Sequence, residues 1–142
     1  MFKHKSPLHI RFSDVDAFGH VNNACYLTYI EEARVSYFEE VVDWSYDWST
    51  KGIILAKAEI DFILPIHFKE EIVVYTRCSR NRKKSFDLEY QLTRFHEGKE
   101  IIMADAVTVM VAFDYTTKKS IEVPDAWREA LKAFEGVDVL VQ

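Results

Sequence analysis

One short polar stretch holds the side chains whose types and spacing could do chemistry. It contains Asp14, Asp16, Gly19 and His20, and Asn23 follows where a long amphipathic segment starts. A carboxylate beside the first turn of a helix could act as a nucleophile or as a general base. The free N–H groups of that turn could polarise a carbonyl held against them. The stretch is therefore a candidate catalytic loop, and Asp16 is its leading residue.

Each residue of this loop also has a purely structural interpretation. Asp14 and Asp16 could cap a turn, because aspartate is a common turn residue. His20 could carry a proton or orient Asp16, or it could donate to a backbone carbonyl. Gly19 has no Cβ, so a ligand or a backbone can come close to it. A metal site made of Asp14, Asp16 and His20 has no second ligand cluster in its support, and we expect neither a metal nor a cofactor.

The two cysteines offer a weaker alternative. Cys25 and Cys78 are too few for a disulfide framework and lack the spacing of metal ligands. Cys25 falls in the first helical turn, where a thiolate would be favoured, but only His20 is near in sequence to serve as its base. Packed thiols are the expectation for both.

Composition limits the partners. The formal net charge of -5 argues against broad nucleic-acid binding. No apolar run resembles a signal peptide or a membrane span, which predicts a cytoplasmic protein with no membrane partner. One turn is locally basic, and it could contact phosphates or simply be a solvated hairpin tip; its residues are Arg80, Arg82, Lys83 and Lys84.

Hydrophobic periodicity predicts the elements that position the loop. A half-buried strand over 8–13 precedes it, and a helix of about 18 to 20 residues follows it from Asn22 or Asn23. An aromatic loop over 43–52 comes next. Strands over 53–64, 70–79, 85–95 and 101–114 and a short helix from Pro124 to Gly136 complete the chain.

This order predicts an α+β fold in one domain, 1–136, with a tail at 137–142. The strand over 101–114 carries a row of small side chains on one face, and we expect the long helix to cross that face closely. The charged strand over 53–64 suits a sheet edge or a surface near a partner subunit. One helix on one sheet face leaves the other face to be covered, for instance by oligomerisation.

The loop and helix also resemble a known family. The stretch Asp14-Val-Asp-Ala-Phe-Gly-His-Val-Asn-Asn-Ala-Cys-Tyr-Leu-Thr-Tyr-Ile-Glu-Glu-Ala-Arg34 is similar to the signature of hotdog-fold acyl-CoA thioesterases of the 4-hydroxybenzoyl-CoA thioesterase-like group. The similarity includes the D-x-D-x-x-G-H-V-N-N loop and the Glu-x-Ala-Arg of the helix, and it covers roughly residues 8 to 120. It implies a hotdog fold, in which a curved antiparallel sheet of about five strands wraps a long helix.

The resemblance also implies a function and its residues. Asp16 matches the catalytic aspartate, the Asn23 N–H matches the group that polarises the thioester carbonyl, and Gly19 matches the loop glycine. Tyr26 would help to shape the acyl pocket. The basic turn would bind the phosphates of coenzyme A. Homodimers or homotetramers with interfacial active sites are the implied assembly.

Two alternatives stay open. The H-V-N-N part also resembles plant acyl-carrier-protein thioesterases, in which an asparagine and a histidine of the loop join the aspartate. Here His20 is present, but Phe18 stands where that asparagine would be. The second alternative is a hotdog protein that binds acyl-CoA without hydrolysing it.

Overall fold

The computed structural model describes residues 1–44 and 50–136 of the chain. A six-stranded sheet carries a long helix and a short one. In chain order the elements are β1 (His4–Pro7), a 3₁₀ turn (Phe12–Asp14), α1 (Cys25–Val41), β2 (Lys51–Phe62), β3 (Ile72–Asn81), β4 (Ser85–His96), β5 (Lys99–Asp114), β6 (Lys119–Ser120) and α2 (Asp125–Glu135).

The sheet is antiparallel throughout, in the order β1-β3-β4-β5-β2, with the short β6 added beside β5. Consecutive hairpins join β3, β4 and β5, and the second of them turns at Gly98, whose φ of 75° suits glycine. The α+β prediction is confirmed. Neither helix of the described chain is both long and apolar enough to cross a bilayer.

The helix α1 is amphipathic, as its 3.6-residue pattern predicts. Its buried side chains are Tyr26, Tyr29, Ile30, Ala33, Arg34, Tyr37 and Phe38. The helix begins at Cys25 rather than at Asn22 or Asn23, because residues 23 and 24 form a turn before it. Burial of Arg34 was not predicted from the sequence, and the apolar Leu27 is 46% exposed.

The predicted first strand over 8–13 is wrong. Strand pairing stops at Pro7, after which the Leu8 N–H still bonds to the Ile72 carbonyl. The Asp14 carboxylate then accepts the backbone N–H of Arg11 at 3.0 Å and closes the 3₁₀ turn. The hydrogen bond from the backbone of Arg11 to a buried carboxylate thus gives a turn where the alternating pattern predicted a strand.

The expected close crossing of β5 by α1 is also not what the structure shows. The backbone of α1 lies nearest β1 and β3. Over β5 the gap is bridged by longer side chains: Arg34 donates to the Tyr90 hydroxyl at 3.2 Å, which shares a hydrogen bond of 2.8 Å with Thr108. The small residues of β5 are buried, but by side chains rather than by the helix backbone.

The prediction of an edge strand is confirmed for β2, which pairs with β5 alone among the described residues. A register shift between Leu55 and Lys57 interrupts the ladder. Most of β2 is exposed. Of the aromatic loop expected over 43–52, positions 45–49 lie outside the described residues, as does the expected tail at 137–142.

Candidate active site

Asp14 anchors the polar loop to α1. Its carboxylate, 2% exposed, accepts hydrogen bonds from the Tyr29 hydroxyl at 2.7 Å and from the Arg11 guanidinium at 2.9 Å. Burial alone would raise the pKa of Asp14, but these hydrogen bonds outweigh it and lower the pKa to about 2. Asp14 is therefore a structural group that is charged at neutral pH, and its oxygens already hold the protein's own donors rather than a metal shared with Asp16.

Asp16 is half-buried, and one of its carboxylate oxygens accepts hydrogen bonds from the loop backbone. Its Oδ1 accepts the backbone N–H groups of Phe18 at 2.9 Å and of His20 at 3.3 Å. The Asp16 N–H in turn donates to the His20 carbonyl at 2.8 Å. The carboxylate does cap a turn, but only through Oδ1; Oδ2 has no hydrogen bond within the described chain.

The start of α1 offers one unused backbone donor. The Asn22 N–H donates to the Asp14 carbonyl at 2.7 Å, and the Asn22 side chain accepts the Ala24 N–H at 3.0 Å. The N–H of Asn23, which lies between them, donates to no acceptor in the part of the chain that the structure describes. Asn22 thus supplies the cap, and Asn23 leaves a donor for a ligand.

His20 gains a neighbour that sequence reasoning missed. It forms an isolated β-bridge with His67, and the two rings meet edge to face at 4.9 Å. His67 is held by Glu70, whose Oε1 accepts the His67 N–H at 2.6 Å and whose other oxygen pairs with Arg94. Burial opposes ionisation of Glu70, but these bonds to His67 and Arg94 prevail and lower its pKa.

Gly19 is needed for its backbone conformation. Its φ is +80°, and a Cβ placed on it would meet no atom of the described chain within 4 Å. The predicted close approach at Gly19 therefore involves none of the residues that the structure describes, and approach by a ligand remains a prediction. A left-handed residue lets the loop reverse between Asp16 and His20.

Asp16, His20, Asn23 and Tyr26 line one cavity of about 360 Å³. The Tyr26 ring is buried and packs edge to face on Phe62 at 4.9 Å between centroids. The wall opposite the loop is the end of β2 and the residues after it, namely Phe62, Ile63, Leu64 and Pro65. The sequence does not connect that wall with the loop, because the two lie some forty residues apart. Backbone contacts of Val21 with Ile66 and of His20 with His67 bring them together.

The predicted basic turn lies elsewhere. It joins β3 to β4, and the loop cavity lies beside residues that precede the start of β3. Since β3 has ten residues, its ends are about 30 Å apart. Arg82 pairs with Asp87 at 2.6 Å and Lys83 with Glu122 at 3.2 Å, while Arg80 and Lys84 are exposed.

Cys25 is not an activated nucleophile. Burial and the neighbouring Asp14 carboxylate raise the pKa of its thiol, so the thiolate expected at the helix start is disfavoured. The Cys25 Sγ lies 3.8 Å from the Asp14 carbonyl oxygen. Both cysteines are free, and Cys78 is buried. No cluster of three or more potential metal ligands occurs among the described residues.

Known proteins are similar to this chain in architecture and in sequence. A family model described as the thioesterase-like superfamily matches residues 10–131. A thioesterase from Thermus thermophilus, solved with coenzyme A and zinc, is 31% identical, with a TM-score of 0.80 and 96% of each chain covered. The PA5185 protein of Pseudomonas aeruginosa is 25% identical, with a TM-score of 0.84 over 95% of this chain and 93% of its own.

A relative of named activity extends the similarity. The long-chain acyl-CoA thioesterase FadM of Escherichia coli is 27% identical over 90% of this chain and 96% of its own. These matches confirm the fold and family expected from the loop motif. The chain belongs to the thioesterase-like superfamily, has the hotdog fold of its structural neighbours, and is by class a thioester hydrolase.

Proposed function

We propose that this enzyme hydrolyses acyl-CoA thioesters and that Asp16 and the Asn23 N–H carry the reaction. The observation that carries the proposal is geometric: a carboxylate with a free Oδ2 and an unused backbone N–H line the same cavity. The substrate class is supported by FadM, named a long-chain acyl-CoA thioesterase, and by the coenzyme A in the Thermus thermophilus structure.

The thioester carbonyl would lie with its oxygen against the Asn23 N–H. Attack on the carbonyl carbon moves negative charge onto that oxygen, and the N–H and the helix dipole stabilise the charge as it forms. Asp16 either attacks through Oδ2 to form an acyl anhydride that water then cleaves, or takes a proton from an attacking water. Both routes release the free acid and the coenzyme A thiol.

His20 supports this chemistry through its backbone. Its N–H helps to hold Asp16 Oδ1 in place, so that Oδ2 stays directed by the loop rather than rotating freely. The His20 ring is held against His67 instead of forming a hydrogen bond with Asp16 in the described structure. His20 is thus a positioning residue through its backbone N–H.

A second copy of the chain would complete the site. Apolar side chains project beside the unpaired edge of β2 and on the adjoining face of α1; they are Leu27, Leu55, Phe62, Ile63 and Leu64, each between 43% and 50% exposed. An exposed sheet edge with an apolar border is suited to pairing with another chain. A partner could also bring its own basic turn towards coenzyme A, which the turn of the same chain is too distant to reach.

The test compares Asp16→Asn and Asp16→Ala with wild type on a panel of acyl-CoAs, with release of free thiol as the readout. Loss of a positioned acid–base group should lower kcat/KM by about 10²- to 10⁴-fold. Asp43→Asn is the matched control, since Asp43 is exposed with φ 53°, a conformation that asparagine tolerates. Unchanged turnover in both Asp16 variants would remove Asp16 from the reaction.

The non-hydrolysing alternative is separated on the same samples. A binding protein would gain thermal stability from acyl-CoA without releasing thiol. Matched thioesters of coenzyme A and of acyl carrier protein distinguish the remaining alternative.

A further inference from the structure

The loop that carries Asp16 is paired with a segment that lies far from it in the chain. The Val21 N–H donates to the Ile66 carbonyl at 2.8 Å, and His20 forms its β-bridge with His67. Both contacts are made by the backbone, so they do not depend on which side chains the loop carries. The position of the 66–67 segment therefore helps to set the position of the loop.

One side chain closes the turn that follows this segment. Glu70 Oε1 accepts the His67 N–H at 2.6 Å, and the Glu70 N–H donates back to the His67 carbonyl at 3.3 Å. Lys69 lies within the turn with a φ of 72°, a left-handed conformation that is uncommon for a residue with a Cβ. Such a conformation persists where the surrounding contacts enforce it, and the Glu70 carboxylate supplies a contact of this kind.

The sheet holds Glu70 in its turn. The second carboxylate oxygen of Glu70 accepts a hydrogen bond from Nη1 of Arg94, which lies on β4. The two side chains are mostly buried, with 17% of Glu70 and 26% of Arg94 exposed. The Arg94 Nε is buried and has no hydrogen-bond partner within the described chain. The guanidinium is thus directed at Glu70, and a charge-assisted bond of this kind fixes the orientation of both groups.

We propose that Glu70 is a positioning residue for Asp16. The inference rests on the proposed function, because it concerns how the carboxylate of that reaction is held. Arg94 fixes Glu70, and Glu70 fixes the 66–67 segment. That segment pairs with His20, whose N–H donates to Asp16 Oδ1 at 3.3 Å and whose carbonyl accepts the Asp16 N–H at 2.8 Å. Glu70 is not among the residues that line the loop cavity, so it acts through the loop and not on the substrate.

The proposed role predicts what loss of the Glu70 carboxylate does. The turn loses the bond that closes it, and the loop loses its fixed neighbour. Asp16 then samples orientations in which Oδ2 no longer faces the carbonyl carbon. A displacement of about 1 Å in a reacting group can lower a rate about 100-fold, so the effect should appear in kcat.

Hydrogen exchange tests the position of the loop without requiring turnover. In Glu70→Ala, the backbone amides of 16–21 should exchange about fivefold faster or more, while those of α2 stay unchanged. Glu89→Ala is the matched control, because Glu89 forms a comparable cross-strand pair with Arg77 at 2.8 Å in the middle of the sheet. Unchanged exchange over 16–21 in Glu70→Ala would overturn the proposal.

Kinetics test whether the effect passes through Asp16. Glu70→Ala should lower kcat about 10- to 100-fold while the KM for acyl-CoA changes less than about threefold. In the Asp16→Asn background, the same substitution should change kcat less than about twofold, because the carboxylate that it positions is already gone. Equal losses of kcat in the two backgrounds, or a loss confined to KM, would contradict a positioning role. Glu89→Ala should leave kcat within about twofold of wild type.

Arg94→Gln tests the same link from the sheet and guards against a folding defect in Glu70→Ala. It keeps the Glu70 carboxylate and removes the charge that holds it. Exchange over 16–21 should again be faster and kcat lower, each by a smaller factor than in Glu70→Ala. A folded Arg94→Gln variant with wild-type exchange and wild-type kcat would overturn the proposal.

This inference and the proposed function fail separately. Faster exchange over 16–21 in Glu70→Ala, with no acyl-CoA hydrolysed by wild type, would refute the proposed function and still support Glu70 as the residue that holds the loop. Hydrolysis that depends on Asp16, with unchanged exchange in Glu70→Ala, would refute the role of Glu70 and leave the proposed function standing.

Discussion

The Tyr29 hydroxyl donates a hydrogen bond of 2.7 Å to the buried carboxylate of Asp14, and this bond ties the loop that carries Asp16 to the helix that follows Asn23. The Asp14 carboxylate also accepts a hydrogen bond from the Arg11 guanidinium. The free Oδ2 of Asp16 and the free N–H of Asn23 are thus kept in one cavity by a neighbouring aspartate that takes no part in the proposed reaction.

Tyr29→Phe should destabilise the protein by about 1 to 3 kcal/mol, because it leaves a buried carboxylate short of one donor. Urea denaturation measures the change. Tyr75→Phe is the matched control: its hydroxyl bonds to the exposed Glu100 at 2.9 Å, so its removal should cost no more than about 0.5 kcal/mol. Equal losses of unfolding free energy in the two variants would show that the Tyr29–Asp14 bond stabilises the protein no more than an exposed hydrogen bond does.

The stability of the protein should fall in acid because of Asp14. Its pKa is lowered from 3.8 to about 2 in the folded chain. A lowered folded-state pKa gives stability that is complete above the unfolded value and disappears as the pH drops through the folded value, here from about pH 4 to about pH 2. The contribution is up to about 2 kcal/mol.

Denaturation of wild type and Tyr29→Phe across this pH range is the measurement. Loss of the donor raises the pKa of Asp14 towards its ordinary value, so the gap in stability between the two proteins should be widest above pH 4 and narrow below it. A gap independent of pH would mean that the hydroxyl acts by packing alone.

Sequence reasoning found the part of the site that is contiguous in the chain. Asp16, His20, Asn23 and Tyr26 are close neighbours, and the helix start that follows them has a local signature. It missed Phe62 and His67, because strand pairing and a backbone bridge bring them to the loop from a distant part of the chain.

For the fold too, the elements set by local sequence were predictable, and the features that depend on burial were not. Hairpins and α1 follow from local periodicity, so their existence and order were predictable. The strand expected over 8–13 was wrong because the competing term, the hydrogen bonds of Asp14 to Arg11 and Tyr29, depends on burial that only the folded chain creates. The burial of Arg34 was invisible for a similar reason: its partner Tyr90 lies on β4.

His20→Ala should reduce kcat/KM less than about tenfold, far less than Asp16→Asn, because the substitution keeps the backbone N–H that holds Asp16 Oδ1. Steady-state assays of both variants with one acyl-CoA provide the comparison. The pH profile of kcat/KM should also keep its shape in His20→Ala. A loss equal to that of Asp16→Asn would assign proton transfer to the imidazole.

A charge on the exposed apolar border of β2 should weaken self-association. Leu27→Glu places a carboxylate on α1 at a side chain that is 46% exposed, where no described neighbour needs to move. We expect wild type to have the mass of a dimer or a larger assembly in light scattering and the variant to dissociate. Phe95→Glu, at a residue 39% exposed near the β4–β5 hairpin, is the control and should leave the mass unchanged.

The exposed cations of the basic turn should act on the nucleotide part of the substrate. Arg80→Ala and Lys84→Ala should each raise the KM for acyl-CoA up to about tenfold, the size of a lost charge-assisted hydrogen bond. The same variants should leave the KM for acyl-pantetheine unchanged, since that thioester lacks the nucleotide phosphates. Arg82 and Lys83 are less suitable probes, because their charges already meet Asp87 and Glu122.

Lys99→Ala, an exposed lysine on the other hairpin, controls for a general loss of positive charge. Because the length of β3 places the turn about 30 Å from the loop cavity of its own chain, we expect any effect on acyl-CoA to come from another copy. The Leu27→Glu substitution should then abolish this effect, because Arg80→Ala should no longer change the KM for acyl-CoA once the enzyme has dissociated. An undiminished effect in the dissociated variant would place the phosphates on the same chain and contradict an interfacial site.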